Sequence, residues 1–207
     1  IASREAIRKP VTIESKYKKQ SGGHGQYGHV KIEFESYDGD ELMFCEKVFG
    51  GAVPKNFFPA VEKGLQEAAE HGSIGGFPVV RLKATLIDGS YHPVDSSEMA
   101  FKTAASMAFK DCMKEAQPYL LEPVDSLKIL LPDDKQGDVM SVLSKRRGSV
   151  LGMNSVGGGM TELLAEAPEA ELGDFALTLR QITQGLGEFT SEYARYDMLP
   201  PGTEIKS

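Results

Sequence analysis

The chain has 207 residues, enough to bury one large hydrophobic core or two small ones. Its formal net charge of −7 argues against a free-standing nucleic-acid-binding domain, because such domains are usually basic, but it does not exclude local contact with RNA. No stretch is long and apolar enough for a membrane span and no signal peptide precedes the first strand, so we expect a cytoplasmic protein without membrane contact.

The first predicted elements are two strands, residues 11–20 and 27–37, on either side of the glycine-rich sequence SGGHG. From Val30 onward apolar and polar residues alternate, which is typical of a half-buried strand. A phosphate-binding loop would need G-x-x-x-x-G-K-[ST] before a helix, and neither the lysine nor the helix follows. The pattern therefore predicts a strand hairpin with a flexible turn.

A third strand is predicted at residues 42–49, followed by a helix that begins at Pro59 and ends at Gly72. A fourth strand follows at residues 79–87. Asp95 and Glu98 have the D-x-x-E spacing of a capping box, so they predict the start of a second helix with an apolar face.

Residues 120–123, LLEP, are interpreted as a hinge into a second unit. The elements predicted after it are strand 125–131, helix 137–147, strand 149–155, strand 160–167, helix 171–185 and strand 187–197. The order βαββαβ is the ferredoxin-like split pattern. We therefore predict an α+β protein with two domains, residues 1–122 and 123–207, of which 198–207 form a loose tail.

Histidines suggest a metal or catalytic site, but their spacing does not support one. The chain has four, and no C-x-x-C, H-E-x-x-H or H-x-x-x-H pattern occurs. No G-x-S-x-G signature of a serine nucleophile is present either. We expect no metal and no catalytic residue in this chain, which is therefore not expected to be an enzyme by itself.

Two polar loops are the better candidates for function. Residues 20–26 and 89–94 both follow long predicted strands and offer small residues, hydrogen-bond donors and the aromatic ring of Tyr91. Strands that present such loops side by side can contact RNA by hydrogen bonds and stacking. The alternative is that both loops are ordinary turns.

Several long strings resemble the bacterial translation elongation factor G family. KKQSGGHGQYGHV, FPAVEKGLQEAAEHG and DGSYHPVDSSEMAFKTAASMAFK resemble its fourth domain. LLEPV, GDVMSVLSKRRG and LRQITQGLGEFTSEYARY resemble its fifth. The strings occur in the family's order over nearly the whole chain, so the sequence resembles the C-terminal part of elongation factor G or of a close paralogue. Because the chain starts at Ile1, it is expected to be an excised fragment.

The resemblance implies a ribosomal translocase that uses GTP to move tRNA and mRNA. It also implies that the first domain is an elongated α/β module with a left-handed βαβ crossover, like a ribosomal-protein domain, whose tip enters the decoding region. GTP and Mg²⁺ would bind in a domain upstream of Ile1, so no cofactor is expected in this chain. The implied partners are both ribosomal subunits, rRNA and the tRNA–mRNA duplex, and the chain is expected to be a monomer.

Matched by position, the resemblance implies two tip loops that contact RNA. Their residues are Gln20, Ser21, Gly22, Gly23, His24, Gly25, Tyr91, His92, Pro93 and Val94. Gln20 and His92 would donate hydrogen bonds to phosphate or 2′-hydroxyl groups, which requires no base preference. Lys145, Arg146 and Arg147 end a predicted helix, where they either contact rRNA or interact with the helix dipole.

The sequence departs from the family pattern in places. His24 and Leu186 stand where many members have arginine, and Pro93 stands where aspartate is common. Fewer fixed positive charges should weaken attraction to RNA. A divergent paralogue that acts in ribosome recycling or ribosome protection is therefore one alternative, and an interaction module without a ribosomal role is another.

Overall fold

The computed structural model describes residues 3–20 and 23–203, which form two compact units: a first unit of residues 4–120 and a second unit that contains residues 121–203. The helices and strands are β1 Arg4–Ile7, β2 Val11–Lys19, β3 Gln26–Ser36, β4 Leu42–Glu46, α1 Phe58–Ala69, β5 Leu82–Ser90, α2 Glu98–Glu115, β6 Pro118–Pro132, α3 Gln136–Lys145, β7 Ser149–Gly157, β8 Met160–Pro168, α4 Phe175–Ile182 and β9 Glu188–Met198. The predicted α+β, two-domain fold class is confirmed.

The first unit is a four-stranded sheet covered by α1 and α2. Its strand order is β2-β3-β5-β4, in which β2, β3 and β5 are antiparallel neighbours and β4 runs parallel to β5. The parallel pair is connected through α1. On β3 the alternation predicted from sequence places Val30, Ile32 and Phe34 in the core, where each is almost fully buried.

Helix α2 begins at a different cap from the one predicted. Ser97 is the N-cap, with extended backbone, and its hydroxyl accepts a hydrogen bond from the Ala100 amide at 3.1 Å. Asp95, the predicted cap, belongs to the preceding loop. Further along α2 the apolar face is buried as predicted, and this burial, with a smaller effect of Glu115, raises the pKa of the Cys112 thiol to about 12.

The second unit has the predicted βαββαβ order. Within it the strands lie in the order β9-β6-β8-β7, all antiparallel, as in a ferredoxin-like sheet. The boundary between the two units falls between Leu120 and Leu121, within the predicted range 120–123, but the hinge predicted there is wrong because these residues lie inside the continuous strand β6. Pro123 is tolerated there beside an irregularity in the β6–β9 ladder, where the register shifts between Val124 and Asp125.

Helix α4 is shorter than predicted at both ends. Residues Glu169–Glu171 form a separate 3₁₀ turn before it. After it, Thr183 is the C-cap, and both Gln184 and Gly185 have positive φ angles, so the helix cannot continue to residue 185. Of the predicted tail, residues 199–203 contain no strand or helix, and residues 204–207 lie outside the described part of the chain.

Candidate nucleic-acid interface

Two loops lie at the same end of the sheet in the first unit. The first loop, residues 20–25, connects β2 to β3, and the second loop, residues 91–97, connects β5 to α2. Strands β3 and β5 are antiparallel, and His29 pairs with Ser90. The start of β3 and the end of β5 are therefore neighbours, which brings the two loops together.

Two hydrogen bonds tie the second loop to the strand that follows the first loop, and a third lies within the second loop. The amide of Tyr27 donates to the carbonyl of Asp95 at 3.0 Å. The Ser96 hydroxyl donates to the carbonyl of Tyr27 at 2.8 Å and also accepts from the amide of His92 at 2.9 Å. Ser96 therefore couples Tyr27 to His92 through a single oxygen atom.

The His92 imidazole shapes the turn of the second loop. Its Nδ1 atom accepts hydrogen bonds from the amides of Val94, at 3.1 Å, and Asp95, at 2.9 Å. A nitrogen that accepts carries no proton, so a neutral His92 has its proton on Nε2. About half of the side chain is exposed (49%), and within the described residues Nε2 forms no hydrogen bond, so it is available as an outward-facing donor.

Gly25 allows the two loops to approach each other closely. A Cβ atom at this position would lie 2.7 Å from Oδ2 of Asp95 and 3.2 Å from the carbonyl oxygen of Lys19. A side chain here would force the Asp95 carboxylate to move and would crowd the Lys19 carbonyl. The small residue predicted to approach RNA therefore also has a structural reason to be small.

A chain of polar side chains crosses three strands below the loops. Glu14 Oε1 lies 2.7 Å from His29 Nε2, and His29 Nδ1 lies 2.7 Å from the Ser90 hydroxyl oxygen. The same hydroxyl oxygen lies 2.6 Å from that of Tyr27. Because Tyr27 also bonds to the second loop through its backbone, this network connects the strand ends that carry both loops.

Exposed basic side chains lie on the strand that leads into the first loop. Lys18 and Lys19 are exposed, and the Lys16 ammonium lies 5.8 Å from the centre of the Tyr27 ring. The acidic Asp95 is also nearby, with 3.8 Å between its Oδ2 and Nδ1 of His92. Because the three lysines outnumber this carboxylate, the local charge at this end of β2 is positive although the whole chain is acidic.

The structure places most predicted tip residues at the surface. Gln20, Gly23, His24, Tyr91, His92, Pro93 and Val94 are exposed and Gly25 is half-buried, whereas the predicted Ser21 and Gly22 lie outside the described residues. Sequence reasoning missed the supporting residues Tyr27 and Ser96. Tyr27 could have been noticed as the first aromatic residue after the glycine loop, but nothing in the sequence indicates that Ser96 bonds to it.

The three basic residues in the second unit have different environments. Lys145 is exposed. Arg146 donates to the Glu171 carbonyl and to the Asp174 carboxylate, each at 2.6 Å. Arg147, whose φ angle is +58°, donates to both carboxylate oxygens of Glu122 at 2.6 and 3.0 Å, and this bonding raises the pKa of its guanidinium.

The described residues contain neither a group of metal-ligating side chains nor a membrane-spanning helix. In residues 3–20 and 23–203, no three histidine, cysteine, aspartate or glutamate side chains are grouped so that they could hold a metal ion. No helix in the same ranges is long and apolar enough to cross a membrane.

Comparison with known protein families connects both units to one family. Residues 1–117 match the model described as elongation factor G, domain IV, and residues 119–204 match the model described as the elongation factor G C-terminus. The chain belongs to the elongation factor G family. The two loops at the end of the sheet are thus part of the fourth domain of elongation factor G, and the ferredoxin-like unit is the C-terminal domain.

Two similar proteins agree with this membership in elongation factor G. An elongation factor G-like protein of Thermotoga maritima is 46% identical over all 207 residues, which are 30% of its own length. A crystal structure of a Thermus thermophilus protein is 45% identical, with a TM-score of 0.88 over 96% of this chain and 30% of the other. The chain thus spans about 30% of the length of these proteins.

Proposed function

We propose that this chain is the C-terminal part of a cytoplasmic ribosomal translocase, in which the two loops of the first unit enter the decoding region while GTP drives tRNA and mRNA movement. GTP and Mg²⁺ would be bound by a part of the protein outside this chain. The proposed partners are both ribosomal subunits, rRNA and the tRNA–mRNA duplex.

The observation that carries the proposal is the attachment of the second loop, through Ser96 and Asp95, to Tyr27 of β3, the strand that follows the first loop. Translocation must break contacts between the decoding site and the codon–anticodon duplex, then prevent the duplex from slipping back. A loop whose own hydrogen bonds and bonds to the neighbouring strand are already made can insert with a small entropic cost. The outward Nε2–H of His92 and the amide of Gln20 would then donate to the RNA backbone, which suits a factor that serves every codon.

Lys18 and Lys19 support the same proposal. Their exposed ammonium groups lie at the end of the strand that leads into the first loop. Positive charge at this point would attract phosphates despite the net charge of −7. The ion-paired Arg146 and Arg147 of the second unit are weaker candidates for rRNA contact than the exposed Lys145.

A second candidate is a specialised paralogue that acts in ribosome recycling or protection. The departures at His24, Pro93 and Leu186 favour it, as does the similarity to a protein named elongation factor G-like. Both candidates place the tip against ribosomal RNA, and they differ in whether tRNA moves.

The test is chemical probing of small-subunit RNA in programmed ribosomes with the full-length protein that carries this chain. We expect protection of the decoding region, and loss of that protection when Gly22 and Gly23 are deleted to shorten the first loop. A matched deletion of Gly158 and Gly159, in the turn between β7 and β8, should leave the protection intact. Ribosome binding without protection of the decoding region would contradict the proposal.

A further inference from the structure

A third loop, residues 47–54 between β4 and α1, lies at the same end of the sheet as the two tip loops. Because β4 runs parallel to β5, both strands end on the same side, and the Lys47 amide donates to the Leu86 carbonyl at 2.8 Å. Val53 in the third loop is buried and packs against Gly89, where a Cβ atom would lie 2.7 Å from Val53 Cγ2. Gly89 is only two residues from Tyr91.

The third loop presents an aromatic ring to solvent. Phe49 is 92% exposed, the highest value among the exposed large apolar side chains of the described residues. Such exposure costs hydrophobic free energy, because the ring could be buried elsewhere in the protein. The flanking Val48 is half-buried against the core of the first unit, so the ring points away from a well-anchored neighbour.

The backbone around Phe49 is fixed by its own hydrogen bonds. Gly50 and Gly51 have φ angles of +67° and +69°, and the amide of Ala52 donates to the Phe49 carbonyl at 3.4 Å. Two successive positive φ angles are the signature of a tight turn that non-glycine residues rarely form. The Glu46 carboxylate accepts from the Val48 amide at 3.0 Å on the other side. The backbone that carries the ring is therefore ordered before any partner arrives.

The surroundings of Phe49 favour RNA over protein as its partner. The exposed residues close to Phe49 in the chain are Gly50, Gly51, Lys47 and Glu46, whose carboxylate accepts from the Val48 amide, and Lys55 is exposed just after the third loop. Neither lysine forms an ion pair within the described residues. A protein partner would need a larger apolar patch, whereas single aromatic rings beside cationic side chains are typical of surfaces on which bases stack.

We propose that Phe49, with Lys47 and Lys55, forms a third RNA-contacting loop of the first unit, in which the ring stacks on an unpaired base of ribosome-bound RNA. The lysines contact the neighbouring phosphates. This inference rests on the proposed function, because it requires that this end of the sheet faces RNA.

Photocrosslinking tests the placement. Azidophenylalanine is introduced at position 49, at position 94 in the second loop and, as a control, at position 74 in the connection that precedes β5. Each protein is then irradiated on programmed ribosomes. We expect crosslinks to RNA from positions 49 and 94 and not from position 74. Crosslinks to RNA from position 94 alone would overturn the proposed RNA contact of the third loop but not the proposed function. Absence of RNA crosslinks at both positions would overturn both.

Substitutions of Phe49 test the stacking. Phe49→Tyr keeps the aromatic face, Phe49→Leu keeps only apolar volume and Phe49→Ala removes both. We expect affinity for programmed ribosomes to stay within twofold for Tyr and to fall roughly tenfold for Leu and Ala, since base stacking needs a π face. Retained affinity in Phe49→Leu, or a crosslink from position 49 to ribosomal protein, would show apolar contact with a protein and overturn the proposal.

Discussion

The Nδ1 atom of His92 accepts a hydrogen bond from the backbone amide of Asp95 at 2.9 Å, so this imidazole is part of the turn that it stands on. The other ring nitrogen faces outward. One side chain thus performs a structural task with one nitrogen and remains able to contact RNA with the other.

The two nitrogens of His92 can be separated by substitution. In His92→Asn the side-chain oxygen can still accept from the amides of Val94 and Asp95, as in an Asx turn, but the NH2 donor ends closer to the backbone than Nε2 of histidine. We expect His92→Asn to change the free energy of unfolding by less than about 0.5 kcal/mol and His92→Ala to lower it by roughly 1 kcal/mol. Urea unfolding of the 207-residue chain measures both. Equal stability losses would mean that Nδ1 does not support the turn.

Ser96 and Ser97 offer a matched pair that separates loop coupling from helix capping. Ser96→Ala removes the bonds to Tyr27 and His92, whereas Ser97→Ala removes the cap of α2. We expect both to lower the free energy of unfolding by about 1 kcal/mol. Only Ser96→Ala should speed amide hydrogen exchange at Tyr27 and His92. Faster exchange there in Ser97→Ala as well would show that the cap, and not Ser96, orders the loops.

The sequence predicted the strands and helices well because the alternation on β3 and the apolar face of α2 come directly from burial. It failed where short-range alternatives compete. Asp95 and Ser97 are both good cap residues, and Ser97 is the cap while the backbone of Asp95 is bonded to Tyr27 of β3 and to His92. The hinge at residues 120–123 was wrong because Pro123 is compatible with a strand at a register shift. The coupling through Ser96 depends on a residue 69 positions away and has no local signal.

Lys145 and Arg147 should respond differently to loss of charge. Arg147→Gln leaves the nearly buried carboxylate of Glu122 without its bidentate partner, so we expect the free energy of unfolding to fall by roughly 2 kcal/mol. Lys145→Gln removes an exposed charge and should change it by less than about 0.5 kcal/mol. Unfolding and ribosome affinity are measured for both. Weaker ribosome binding by Arg147→Gln at unchanged stability would favour rRNA contact over the structural role.

Glu166 should contribute to acid sensitivity. Hydrogen bonds from the Arg195 guanidinium, at 2.8 and 2.9 Å, lower the pKa of Glu166 below its ordinary value of 4.5. The stabilisation is therefore present above that value and is lost as the pH falls through the lower, folded-state pKa. Because Arg195 is half exposed, we expect less than about 1 kcal/mol.

The variant Glu166→Gln checks this expectation against Glu162→Gln on the same strand. Glu166→Gln should be less stable than the unsubstituted chain at pH 7 and should lose less stability between about pH 5 and 3, since its side chain does not titrate. Glu162→Gln should retain the steeper acid dependence. Identical pH profiles for Glu166→Gln and the unsubstituted chain would show that the ion pair contributes nothing to folding.

The most direct test of the proposed translocase compares two single-turnover rates in the full-length protein that carries this chain, tRNA movement and ribosome-stimulated GTP hydrolysis. His92→Asn keeps the turn and draws the donor back toward the backbone, out of reach of the RNA, so we expect tRNA movement to slow about tenfold, equivalent to one charge-assisted hydrogen bond, with GTP hydrolysis unchanged within twofold. Equal losses in both rates, or unchanged tRNA movement, would contradict a mechanical role for the tip. Absence of any GTP-dependent tRNA movement in the unsubstituted protein would favour the recycling or protection paralogue.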